Sequence, residues 1–140
     1  MNEQAILIPV FAQVALTFTL LFTLGPARVA AVKRGEVKLA DIVLGQNAWP
    51  DRITQLSNSF NNQFQLPVLF YVLVALALVT AKVDILLIAG AWLFVASRAV
   101  HAAVHVTTNR IGNRFNSYVV GVAVLAAMWV RFAVHVLAGV

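Results

Sequence analysis

Four long apolar runs constrain this chain more than any other feature. They cover about residues 5–24, 53–81, 85–106 and 114–137, each long enough to cross the roughly 30 Å hydrocarbon core of a bilayer as a helix. Backbone polar groups find no water in that core and must bond within their own segment, so such runs become helices and not irregular chain. Little of the 140 residues is left over, and 1–140 reads as a single transmembrane domain. A hydrophobic share of 61% against 11% charged lies outside the soluble range. The expected fold class is an all-α integral membrane protein, a four-transmembrane-helix bundle.

The first run is expected to stop at Gly25 and Pro26, the usual punctuation after a helix. Its leader "MNEQ" carries an acid and no basic residue, so it reads as a span and not as a cleaved signal. The connection "ARVAAVKRGEVKLADIVLGQNAWPDR", with Gly35, Gly45 and Pro50 as breakers, is long for a helix link and is a candidate cap or partly helical loop. Pro67 removes a backbone donor and is expected to bend the second span. "KVD" makes a tight turn into the third span, and "TTNRIGN" makes the loop after it.

A net charge of +5 suggests nucleic acid at first sight. The positions exclude that reading, because the basic residues flank membrane spans, where positive charge marks the cytoplasmic side. Arg28, Lys33, Arg34, Lys38, Arg52, Arg110 and Arg114 flank the first and third connections, against Lys82 and Arg131 on the other side. Both those connections are expected in the cytoplasm, with the termini and the "KVD" turn opposite. Cysteine is absent, so any thiol chemistry must use a thiol brought by a ligand.

Polar residues inside the spans need an account, since they are costly there and usually face protein or water. Asn58, Asn61, Asn62 and Gln65 recur at i, i+3, i+4 and i+7, one face of a helix. Such a stripe serves either as interhelical hydrogen-bonding glue or as a ligand-lining face. Arg98, His101 and His105 share a face of the third span. No acidic residue or cysteine lies nearby in sequence to complete a metal shell around the histidines, so no metal is expected. The plainer alternative has Arg98 and His105 bonding backbone carbonyls and reaching toward the interface. In "GNRF", Asn113 is the expected N-cap of the fourth span and Arg114 its first helical residue, a corner that suits an anion. A bound thiolate there would have its pKa lowered from about 8.5. Arg110 and Arg114 can equally be topogenic charges resting on lipid phosphates. Arg131 and His135 read as interfacial anchors, and Gln13 and Thr17 as packing contacts.

"RAVHAAVH" followed by "RIGNR", together with Asn58 to Tyr71, resembles the two signature regions of the MAPEG superfamily, membrane-associated proteins of eicosanoid and glutathione metabolism. In its prostaglandin synthase branch the region runs Arg, two residues, His, three residues, Tyr, then two arginines four apart. Arg98, His101, Arg110 and Arg114 fall on those positions, with His105 in place of the tyrosine. Asn62 and Pro67 fit the second-span motif, with Gln65 where the family has Glu; bacterial members carry segments similar to "LPVLFY" at Leu66 to Tyr71. Asn58 and Asn61 stand where several members have arginines, and Phe115 where the prostaglandin enzyme has serine.

The resemblance implies a homotrimer of four-helix subunits in a bacterial inner membrane, with glutathione as co-substrate between neighbouring subunits near the cytoplasmic side. It implies that Arg114 stabilises the glutathione thiolate, as the catalytic residue. Arg28, Asn58, Asn61, Asn62, Gln65, Arg98, His101, His105 and Arg110 are then the expected glutathione-binding residues. The implied activity is of transferase or peroxidase type on a lipophilic electrophile or hydroperoxide arriving from the surrounding lipids. A non-catalytic member of the scaffold, binding lipid or another anion at the same basic corner, is the alternative.

Overall fold

The computed structural model describes residues 3–139, and they are helical almost throughout. A 3-10 turn at Glu3–Ile6 leads into α1, Leu7–Lys33. A connection containing a short 3-10 turn at Leu39–Asp41 reaches α2, Asp51–Asn61. A second 3-10 turn, Asn62–Phe64, joins α2 to α3, Leu66–Val79. Then come α4, Ile85–Val106, and α5, Ile111–Leu137. Taking α2 and α3 together as one stacked unit, the described residues hold four helical segments long and apolar enough to cross a membrane. This is an integral membrane protein.

Two boundaries differ from the sequence expectation. Gly25 and Pro26 do not end the first helix, which continues through both to Lys33. Proline costs a helix one hydrogen bond, but helices in lipid tolerate it when neighbours hold the following turn. Here Leu24 and Ala31, on either side of Pro26, are buried in a cluster with Ile53 and Leu56 of α2. That packing carries α1 past its own stop signal. The second span, expected from 53 to 81 with a bend at Pro67, is one membrane-crossing segment interrupted by a short 3-10 turn. The break falls at Gln65, with φ −101° and ψ −105°, and Pro67 opens the new helix, where its missing N–H costs nothing.

α4 is the hub. It packs most extensively against α5 and also contacts α1 and α2. Its inner face, Leu87, Ala91, Phe94, Arg98, His101 and His105, repeats at three- and four-residue intervals and is buried along its whole length. The core holds Phe70, Leu73, Val74 and Ala77 of α3 against Leu87, Ala91 and Phe94 of α4 and Leu125, Met128 and Phe132 of α5. The Phe70 and Phe94 rings stack at 4.8 Å. Close approach of α4 and α5 rests on two glycines. A Cβ on Gly90 would lie 2.8 Å from Met128 Cγ, and one on Gly121 would lie 3.1 Å from Ser97 Oγ. Small residues bring transmembrane helices together because lipid offers no hydrophobic drive. Large side chains such as Phe11, Phe22, Leu93 and Val130 point outward, as a lipid-facing surface requires.

The two ends of the bundle are chemically distinct. At one end Asp84 accepts from Leu87 N–H at 2.7 Å, capping α4. Its Oδ2 also accepts from Arg131 Nε at 2.9 Å, and His135 Nδ1 lies 3.7 Å away. Arg131 and His135, expected as interfacial anchors, are therefore partners of the α4 cap. Burial alone would raise the Asp84 carboxyl; the Leu87 N–H and the Arg131 guanidinium overcome that and hold it below its ordinary 3.8. The other end carries Arg28, Lys33, Arg34, Arg52, Arg110 and Arg114, and is called the basic end below.

Candidate functional site

At the basic end, the α2–α3 break, the last turns of α4 and the first turns of α5 converge. Arg98, on the inner face of α4, is fully buried. Its Nη2 donates to Asn62 Oδ1 at 2.7 Å, and its guanidinium lies 5.7 Å from the centre of the Tyr118 ring on α5. One turn along α4, His101 Nδ1 stands 3.0 Å from the backbone carbonyl of Arg114 and 3.1 Å from Ser117 Oγ. A carbonyl can only accept, so the Nδ1 position carries the proton and donates to it. Nε2 is left as the acceptor facing the Asn62 amide, 3.4 Å away. Asn62 thereby accepts from Arg98 and faces His101 with its amide N–H. Asn62 closes α2 at φ −64° and ψ −19°, and from there its side chain reaches both α4 residues.

Arg114 follows on α5. Its Nη1 donates to Asn109 Oδ1 at 2.9 Å, and Asn109 sits in the left-handed region at φ +50°, which asparagine tolerates better than most residues. The start of α5 differs from the expected one. The helix begins at Ile111 with Arg110 as the cap residue, making no side-chain cap bond. Arg114 lies a full turn in, its N–H already donating to the Arg110 carbonyl at 3.0 Å. Gly112 and Asn113 do not break the helix, because α5 gains more from running along α4 than a cap at Asn113 would return.

Between these elements opens a cavity of about 420 Å³ lined by Asn62, His101, Ile111, Arg114, Phe115 and Tyr118. Its electrostatics are one-sided. The lining has two cationic or ionisable nitrogen groups, Arg114 and His101, with Arg98 buried behind, and no carboxylate. Buried Arg98 Nε and Nη1, Arg114 Nε and His105 Nδ1 have no hydrogen-bond partner. Unmatched buried donors of this kind call for acceptors and negative charge. His105 is buried and meets the His101 ring edge-on at 5.7 Å. Among the described residues no group of three His, Cys, Asp or Glu is placed to hold a metal ion.

The structure thus brings Asn62, Arg98, His101, His105 and Arg114 together. It does not gather the rest of the expected set around the same cavity. Asn58, Asn61 and Gln65 are exposed along one open edge of α2 and the turn after it. Arg110 is exposed at the start of α5. Arg28 lies on the far side of α2, where Nη2 donates to Ser57 Oγ at 2.8 Å and the guanidinium stacks 5.1 Å over Trp49. Arg28 and Asn58 do share a second, smaller cleft with Trp49, Thr54 and Ser57. The polar residues turned inward here are Ser59 of α2 and Gln63 of the turn after it. Gln63 Oε1 accepts from Gln13 Nε2 of α1 at 2.8 Å, so Gln13 is a hydrogen-bonding partner as well as a packing contact. The sequence reading also missed Asn109, Ser117 and Tyr118. Of these, Tyr118 stood one turn beyond Arg114 and so on its face, a spacing that could have found it.

The model of the MAPEG family matches residues 6–134 of this chain. No curated protein and no solved structure matches it.

Proposed function

Because the chain belongs to the MAPEG family, we propose that it is a glutathione-dependent membrane enzyme of transferase or peroxidase type. The observation that carries this reading is the cavity beside Arg114: open, free of carboxylates, and backed by a buried Arg98 with two unpartnered guanidinium nitrogens. Glutathione, with two carboxylates and an ionisable thiol, is an anion of the kind that donor set suits. When bound it supplies a sulfur nucleophile that attacks a lipophilic electrophile or hydroperoxide.

The chain's own residues then divide the work. The Arg114 guanidinium reaches the cavity from an anchored position, because Asn109 Oδ1 holds Nη1 and the His101 bond holds the backbone of the same residue. A fixed cation at that point favours the thiolate over the thiol, lowering a pKa of about 8.5 toward neutrality. Asn62 meets a carboxylate or peptide group on the inner wall, held by Arg98, whose buried charge acts from behind it. His101 and His105 orient their neighbours and carry no step of their own. Phe115, exposed beside Arg114, gives the lipophilic partner an apolar approach from the membrane.

The proposed assembly is a homotrimer. Asn58, Asn61 and Gln65 lie exposed on a spanning segment, where amides facing lipid are costly and a neighbouring helix would satisfy them. A neighbouring subunit on that edge would add these amides and Arg110 to the glutathione site, and Arg28 would reach it through the smaller cleft. The basic end, with its excess of Lys and Arg, faces the cytoplasm, in keeping with a bacterial inner membrane.

The test is turnover of glutathione with a lipophilic aryl halide or a lipid hydroperoxide, with wild type and Arg114→Ala in detergent. Loss of turnover, with an unchanged trimer by light scattering, supports the reading. Full activity in the variant overturns the mechanism. The second reading, a non-catalytic member that binds lipid or another anion, is favoured by the amides at 58, 61 and 65 in place of charged groups; absence of turnover in wild type would select it.

A further inference from the structure

The α1–α2 connection carries a groove apart from the proposed reaction's cavity, and of its lining residues only Arg28 is also assigned to the glutathione site. α1 has 27 residues, about 40 Å of helix at 1.5 Å per residue, against a hydrocarbon core of about 30 Å. Its last turns therefore stand at headgroup depth. There Arg28, Val29, Val32 and Lys33 face Leu39, Ile42 and Trp49 across a groove of about 360 Å³. The walls between these basic residues are apolar. The connection is pinned by Val37, which is buried, yet it turns Leu39, Val43 and Leu44 outward at 67%, 73% and 85% exposure. Large aliphatic side chains on a short segment flanked by Lys33, Arg34 and Lys38 form the pattern of a segment lying in the membrane interface.

We propose that this groove holds an acyl chain of an anionic phospholipid, with the lipid phosphate at Lys33. The charges select that occupant. No carboxylate lines the groove. Arg28 is already engaged by Ser57 and by the Trp49 ring, while Lys33 has no ion pair among the described residues and sits at the groove's edge. A cation at headgroup depth over an apolar slot matches a phosphate over an acyl chain. Trp49, on the groove wall, occupies the depth at which tryptophan collects in membrane proteins. The site is separate from the cavity beside Arg114, which it meets at none of its lining residues.

Trp49 also reports on it. Of the three tryptophans, Trp92 and Trp129 are replaced by Phe, and the full-length protein is reconstituted in two sets of vesicles. One contains a minority of phosphatidylglycerol brominated near the headgroup end of its chains, in unlabelled phosphatidylcholine; the other reverses the label, with the same minority fraction of brominated phosphatidylcholine in phosphatidylglycerol. The expected result is a local preference of about fivefold for the anionic lipid in quenching of Trp49, the scale of one basic residue at a membrane surface. Lys33→Gln should abolish the preference and Lys33→Arg should retain it. Equal quenching by the two lipids overturns the proposal, as does a preference that survives Lys33→Gln. Absence of quenching by either lipid overturns it too, and would mean that another surface covers the groove.

Discussion

His101 Nδ1 of α4 donates to the backbone carbonyl of Arg114 on α5 at 3.0 Å. The residue proposed to hold the thiolate is therefore positioned from two directions, by His101 through its backbone and by Asn109 through its guanidinium. His101 is in turn faced by Asn62, which accepts from Arg98. Asn62 thus ties Arg98 to His101, and His101 carries the link on to Arg114.

His101→Leu removes one donor to the Arg114 carbonyl, which keeps its bond from Ser117 Oγ at 3.0 Å; a loss of about 1 kcal/mol in stability is expected. Glutathione affinity should fall with it, because Arg114 loses one of its two restraints. His101→Asn, whose amide N–H can occupy the Nδ1 position, should recover most of both. Thermal unfolding in detergent and glutathione binding by calorimetry check this. Equal loss in the Leu and Asn variants would show that ring volume and not the hydrogen bond matters.

Gly121→Leu places a branched side chain where even a Cβ already meets Ser97 Oγ at 3.1 Å and Arg98 Cδ at 3.7 Å. Overpacking of this kind costs about 1–3 kcal/mol. It should also displace Arg98, so a lowered melting temperature is expected together with weakened glutathione binding. A variant as stable as wild type would show that α4 and α5 separate more easily than the geometry indicates.

At the opposite end, the Asp84 cap gives a pH dependence with a definite sign. Its carboxyl titrates below the ordinary 3.8 in the folded protein, so its stabilising contribution is complete above the unfolded value. That contribution is lost as pH falls from about 4 through the folded value. Asp84→Asn keeps a capping oxygen for Leu87 N–H but removes the charge that Arg131 and His135 face, and should cost about 0.3–1 kcal/mol at neutral pH. The gap between wild type and variant should close in acid. Melting curves from neutral pH to pH 3 measure it, and a gap that persists undiminished at the acid end would contradict the assignment.

Span number and the shared face of Arg98, His101 and His105 were legible in the sequence because both rest on periodicity, the strongest signal a membrane helix carries; that Arg114 joins them came from the family resemblance alone. The same periodicity does not say which stripe of a helix faces in. Asn58, Asn61, Asn62 and Gln65 repeat like an inner face, yet Asn62 alone of the four turns to α4. The inward amide is Gln63, one residue away, because it finds Gln13 across the bundle. Gly25 and Pro26 misled for a related reason: stop signals are local, and the packing of Ala31 against α2 that overrides them is not. Asn109 was invisible because its role depends on a left-handed turn that brings its side chain under Arg114.

The most direct test of the account is the ultraviolet absorbance of the thiolate when glutathione is added to the purified protein at neutral pH, in wild type and in Arg114→Ala. Wild type should give a thiolate signal that Arg114→Ala lacks. A thiolate signal of equal size in the variant would contradict the role given to Arg114, and absence of the signal in wild type would contradict thiolate activation by this protein.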